Sequence, residues 1–112
     1  KYTSGNDEIY QNTRNYILSK KNPYYYEGTY AKGIGSPHTP DQYIWHIALA
    51  MQGLTAQSKE EKETVLELIL NTDAGKLVMH EGFCCNNPNE FTREWFAWAN
   101  SLFALLVMDI YK

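Results

Sequence analysis

The sequence predicts an all-α fold made of helical hairpins, the unit that an α/α toroid repeats. Two observations predict it. Helix-period apolar patterns recur four times, at about residues 6–20, 39–54, 58–72 and 92–110. They also alternate in kind: the first and third keep a polar face, and the second and fourth have almost none. A helix that is apolar all round is buried in a fold, so the order reads outer, inner, outer, inner. An isolated four-helix bundle would instead show four amphipathic helices. Two all-apolar helices in 112 residues need more packing partners than the chain supplies. Residues 1–112 are therefore expected to be one part of a larger helical domain.

The first helix is expected over 6–20. Asn6 caps it, Asp7 and Glu8 suit its first turn, and Ile9, Thr13, Tyr16 and Ile17 share one face. Asn22-Pro23 ends it. Residues 21–38 read as loop, with a short strand or turn near Tyr24-Tyr25-Tyr26-Glu27-Gly28. Gly33 and Gly35 lack the strand–GxGxxG–helix setting of a dinucleotide site. They are expected to let the backbone approach a neighbour closely. Thr39-Pro40-Asp41-Gln42 reads as a capping box with proline at the first helical position. The helix behind it, to about Leu54, holds His46 and Gln52 as its main polar interior residues, and His46 is expected to be a satisfied core histidine. Ser58-Lys59-Glu60-Glu61 is a second capping box. Its helix turns Val65, Leu66, Leu68, Ile69 and Leu70 inward and leaves Lys59, Glu60, Glu63 and Glu67 in water. Asp73-Ala74-Gly75 stops it. Thr92 is expected to cap the last helix, which carries Trp95, Phe96, Trp98, Leu102, Phe103, Leu106 and Ile110.

Each inner helix is preceded by a polar loop, 33–39 and 79–91. In a toroid both loops open at one end, so Ser36, His38 and Glu81 are expected at one mouth. Glu81 is a carboxylate with no helical reason for its position, next to His80, Gly82 and Phe83. Loops on a rigid scaffold carry much of protein chemistry; an exposed loop carboxylate beside a solvated histidine is the plain alternative. Glycoside hydrolysis needs two carboxyl groups across the scissile bond, and Asp41 and Glu27 are the other acids near this mouth. A metal site could be drawn from His38, His80, Glu81, Cys84 and Cys85, but adjacent cysteines match no zinc spacing. No metal and no cofactor is therefore called for. Cys84 as a nucleophile needs a base and a cation or helix end to lower its pKa, which the sequence does not single out.

Composition narrows the rest. At 44% hydrophobic and 21% charged the chain is globular rather than disordered. Ten basic against thirteen acidic residues, with no basic stripe, argue against nucleic acid. No run of 18 apolar residues is free of polar interruption, which argues against a membrane span. Aromatics at 14%, nine of them Tyr, suit sugar stacking and core packing alike. Neighbouring α-carbons lie ~3.8 Å apart, short of the ~4.4–6.8 Å a disulfide usually spans. Cys84 and Cys85 are therefore read as free thiols, which favours a reducing, cytoplasmic compartment, with a periplasmic or secreted parent left open. Lys1 is not an initiator Met and Lys112 follows the last helix directly, so both ends are expected to be cuts.

Several strings are long enough to compare with known families. Asn22-Pro23-Tyr24-Tyr25-Tyr26, Gly33-Ile34-Gly35-Ser36-Pro37-His38-Thr39-Pro40, the run Tyr43–Thr55, Thr72-Asp73-Ala74-Gly75, Met79-His80-Glu81-Gly82-Phe83 and the run Phe91–Phe103 resemble glycoside hydrolase family 125. The resemblance covers essentially the whole chain but only the C-terminal part of family members. It implies an inverting exo-α-1,6-mannosidase on an (α/α)6 barrel, acting on mannose-containing oligosaccharides of N-glycan or mannan type. It implies that Glu81 is the general base, that the general acid is an aspartate upstream of this chain, and that Ser36, His38 and His80 contact sugar. One departure is that Asn86-Asn87-Pro88 stands where the family is acidic, which removes negative charge beside the base. It also implies that the 112 residues alone lack turnover. A second reading makes the chain an inactive helical assembly module, bound to the rest of a barrel or to itself through apolar faces.

Overall fold

Ser58 does what its sequence position asks. Its hydroxyl accepts the Glu61 N–H at 3.1 Å and opens α3 (Lys59–Leu70). Opposite lies α2 (His46–Thr55), joined to α3 by the short Ala56–Ser58 connection. Lys62 fastens this hairpin. Its ammonium donates to the Gly53 and Leu54 carbonyls at 3.0 and 3.3 Å, at the C-terminal end of α2, where carbonyls lack helical partners. The same ammonium pairs with Asp109 at 2.7 Å on α4 (Ala97–Ile110). Hydrogen bonds from Lys62 and Lys112 hold the Asp109 carboxyl below its ordinary value. Leu49, Ala50, Val65, Ile69, Leu106 and Ile110 make the core between these three helices.

The computed structural model describes residues 8–73, 75 and 79–112. Four helices were expected, and four are present among the described residues. The fold is nevertheless not all-α, which corrects the toroid reading: among the described residues five strands form two antiparallel sheets. β1 (Tyr25–Glu27) pairs with β2 (Lys32–Ile34), and β3 (Tyr43–Trp45), β4 (Gly82–Cys84) and β5 (Asn87–Thr92) form the second sheet in that order. Tyr43, Ile44 and Trp45 face Cys84, Phe83 and Gly82. The reason lies in the residues. An aromatic, a β-branched and a second aromatic residue favour a strand, and a short apolar run has the same pattern in a buried strand as in a buried helix.

Both expected inner-helix starts fail for one physical cause. Gln42 has φ 71° and Arg93 φ 50°. A right-handed helix cannot pass through a left-handed residue. The chain therefore turns at Gln42, whose carbonyl accepts the Cys85 N–H at 2.8 Å. α2 begins only at His46, with Trp45 before it and no side-chain cap. Thr92 ends β5 instead of capping α4, which starts at Ala97.

The two glycines act as expected. A Cβ on Gly33 would press on Ile44 at 2.9 Å, and one on Gly35 would collide with the Tyr43 carbonyl and lie 2.7 Å from the Tyr26 ring. α1 (Glu8–Ile17) differs from expectation, because none of its residues is buried. Ile9 and Tyr16 face outward, and Asn6 and Asp7 lie outside the described residues. The helix is held by Arg14, which donates to Thr55 Oγ1 (2.7 Å) and the Gln52 carbonyl (3.2 Å) and pairs with Glu61. Tyr10 adds a bond to the Thr55 carbonyl. Among the described residues no helix is long and apolar enough to cross a membrane.

Candidate active site

Residues 79–82 lie on a backbone gripped from four directions. Met79 N–H donates to Asn100 Oδ1 (3.2 Å), and the Met79 carbonyl accepts from Phe96 N–H (2.9 Å). His80 N–H donates to His46 Nδ1 (2.9 Å), and Glu81 N–H to the Thr92 carbonyl (3.1 Å). Gly82 then enters the sheet between Trp45 and Thr92. The Glu81 side chain emerges from this frame 17% exposed, its Oε1 3.4 Å from Arg93 Nε. The backbone that carries this carboxylate is thus held in place, one condition for positioned proton transfer.

His46 is the expected core histidine. It is buried, and its pKa is pushed down to about 3 by that burial, assisted by repulsion from His80. Its Nδ1 accepts from His80, so Nε2 carries the proton and donates to Thr72 Oγ1 at 3.0 Å. The Thr72 hydroxyl in turn donates to the Leu68 carbonyl at 2.8 Å. The ring thus works as a fixed acceptor under the Glu81 loop.

His80 was expected at the sugar, and its ring lies inside the protein. It is fully buried and stacked on Phe91, with ring centroids 4.0 Å apart. Nδ1 lies 2.8 Å from the Glu94 carbonyl and Nε2 3.0 Å from the Asp73 carbonyl. Carbonyls only accept, so the neutral ring serves one of them at a time and the imidazolium serves both. Neither nitrogen is open to a sugar hydroxyl. The side chain ties the end of α3 to the corner before α4.

Ser36 and His38 lie in the loop that leaves β2. Ser36 Oγ accepts His38 N–H at 3.1 Å, which folds the loop tightly, and the His38 side chain is exposed. This loop and the Glu81 loop meet across one indole. Trp45 Nε1–H donates to Thr39 Oγ1 at 2.9 Å, and Trp45 Cδ1 lies 3.1 Å from where a Cβ on Gly82 would stand. Asp41 is exposed in the turn before β3. Glu27 ends β1 in the other sheet and pairs with Lys20 at 3.4 Å. Cys84 and Cys85 are free thiols. Burial pushes the Cys85 thiol up, the wrong direction for a nucleophile. Among the described residues no three His, Cys, Asp or Glu side chains are grouped to hold a metal ion.

Arg93, Trp45 and Asn100 were not singled out from sequence. Asn100 had left a signal, because a lone amide within an apolar helix has to find a buried partner. It finds the Met79 backbone.

The family pattern described as metal-independent alpha-mannosidase (GH125) matches residues 1–108. The chain belongs to glycoside hydrolase family 125. Two comparisons give the extent of the likeness. The meiotically up-regulated gene 157 protein of Schizosaccharomyces pombe is 40% identical over 110 residues, which is 97% of this chain and 22% of that protein. A solved Streptococcus pneumoniae structure is 51% identical with a TM-score of 0.95, over 97% of this chain and 26% of that one. That protein belongs to a family of metal-independent alpha mannosidases and is described as a non-productive substrate complex with alpha-1,6-mannobiose. The chain thus spans about a quarter of the length of these relatives.

Proposed function

We propose that residues 1–112 are the C-terminal part of the catalytic domain of an inverting exo-α-1,6-mannosidase, which removes terminal α-1,6-linked mannose from glycans of N-glycan or mannan type. Family membership and the mannobiose-bound relative support a mannosidase. The observation that carries the mechanism is Glu81, a partly sheltered carboxylate on a backbone bonded at every residue from Met79 to Gly82. Inverting hydrolysis uses one carboxylic acid to protonate the leaving oxygen and one carboxylate to take a proton from water on the opposite face of the sugar. Glu81 is the second of these. The acid belongs to a part of the domain outside these residues, and the 112 residues alone are inactive. Ser36 and His38 bind sugar hydroxyls from the neighbouring loop. His80 acts indirectly, by fastening the backbone under Glu81.

The test is Glu81→Gln in the complete protein, with kcat and ligand affinity measured separately. Loss of the base lowers kcat by ~10²–10⁴-fold while sugar binding is largely kept. His38→Ala weakens binding as well as turnover. A kcat for Glu81→Gln within a few-fold of the parent would remove Glu81 as base and make Asp41 or Glu27 the next residue to test.

A further inference from the structure

We infer that Arg93 is a positioning residue that aims the Glu81 carboxylate, an inference resting on the reading of Glu81 as base. Arg93 occupies a left-handed backbone position, φ 50°. Glycine or asparagine takes that conformation far more readily than a long side chain does. An arginine there calls for a reason in its side chain, and backbone outliers of this kind gather at working sites.

The side chain supplies one. Nε lies 3.4 Å from Glu81 Oε1, and the guanidinium carbon sits 5.8 Å from the centroid of the Phe96 ring. The ring face attracts the cation and fixes its direction. The residues on either side of Arg93 hold the same dipeptide. The Thr92 carbonyl takes the Glu81 N–H, and the Glu94 carbonyl faces His80 Nδ1. The left-handed turn is thus what brings two carbonyls and one guanidinium onto His80-Glu81 together. Among the described residues Arg93 is the cation within ion-pair reach of Glu81.

The contact is longer than the ~2.7–2.9 Å of a full charge-assisted hydrogen bond. It steers the carboxylate and leaves its lone pairs for a water. Arg93 is also 66% exposed, so the pair adds little to stability. Its effect is read in kcat.

The experiment uses the complete protein and four variants: Arg93→Gly, Arg93→Lys, Glu81→Gln and the double variant Arg93→Gly/Glu81→Gln. Arg93→Gly suits the backbone, so its melting temperature equals or exceeds the parent's. Its kcat falls on the order of 10-fold, less than removal of the base itself costs, and KM stays within about 3-fold. Arg93→Lys restores part of the loss. In the double variant, removing Arg93 adds nothing to the Glu81→Gln defect, because the two residues act through one carboxylate. An unchanged kcat for Arg93→Gly beside an impaired Glu81→Gln overturns the inference and leaves the base reading standing. So does a loss that is additive in the double variant or tracks a lowered melting temperature. A Glu81→Gln protein with near-parental kcat overturns both readings.

Discussion

Acid should destabilise this protein through His46, and the size of the effect can be worked out. The folded pKa is about 3 against an ordinary 6.5, because the ring is buried and faces His80 5.3 Å away, with Phe83 and Thr72 closing the rest. Below ~6.5 the unfolded chain takes up a proton that the folded chain refuses. The contribution is therefore complete above that pH and is lost as pH falls toward about 3. Linkage puts the loss between pH 7 and pH 5 at about 2 kcal/mol, and the whole transition at roughly 5 kcal/mol. Urea unfolding followed by tryptophan fluorescence at pH 7, 6 and 5 measures it, with His46→Asn as the comparison. The asparagine amide oxygen can still accept the His80 N–H, but it does not titrate. The variant is less stable at pH 7 because the ring is gone, yet it loses about 2 kcal/mol less on going to pH 5. Equal losses in parent and variant would show that His46 is not the source of the acid sensitivity.

Gly35→Ala drives a methyl group into the Tyr43 carbonyl and the Tyr26 ring. It should cost ~1–3 kcal/mol or more by urea midpoint, and displace Ser36 enough to weaken sugar binding. The 112-residue chain alone leaves Trp95, Trp98, Leu105, Met108 and Tyr111 exposed on and beside α4. Patches of that kind drive association, so light scattering should report oligomers, and a stable dilute monomer would refute this. The same isolated chain should release no mannose from α-1,6-mannobiose, and robust release would place the acid within it.

What could be read from the sequence was whatever local chemistry decides. Ser58 with Glu61 marked a helix start, because that cap involves only neighbours. Gly33 and Gly35 marked close approach, because glycine alone lacks a Cβ to clash. His46 was recognisable as a core histidine from its apolar surroundings. The sheets were hidden because strand pairing is not local. Nothing near Tyr43-Ile44-Trp45 says that Gly82-Phe83-Cys84 will lie beside it. Thr39-Pro40-Asp41-Gln42 and Thr92 both looked like helix starts, and both fail at a left-handed residue that no propensity rule assigns to Gln42 or Arg93. In the site, the position of Glu81 in a polar loop was visible. Its tethers were not, since those to Phe96 and Thr92 end on backbone atoms, which carry no sequence label. The burial of His80 was hidden for the same reason, because both of its ring partners are carbonyls.

The order of the elements has a consequence for tolerance to change in length. β3 and β4 are neighbours in the sheet, yet α2, α3 and their connection all lie between them in sequence. The pairing of Ile44 with Phe83 is therefore blind to how many residues separate α2 from α3. Lengthening a surface connection costs only logarithmically in closure entropy. Gln57 and Ser58 are exposed there, so added residues would loop outward and leave Glu81 where it is. The link from β4 to β5 has no such slack. Cys85 and Asn86 alone join them, and Asn86 already holds the Thr29 N–H at 2.9 Å while the Cys85 carbonyl takes Tyr30 and Ala31. An insertion at that turn would shift Thr92 and, with it, the carbonyl on which Glu81 hangs.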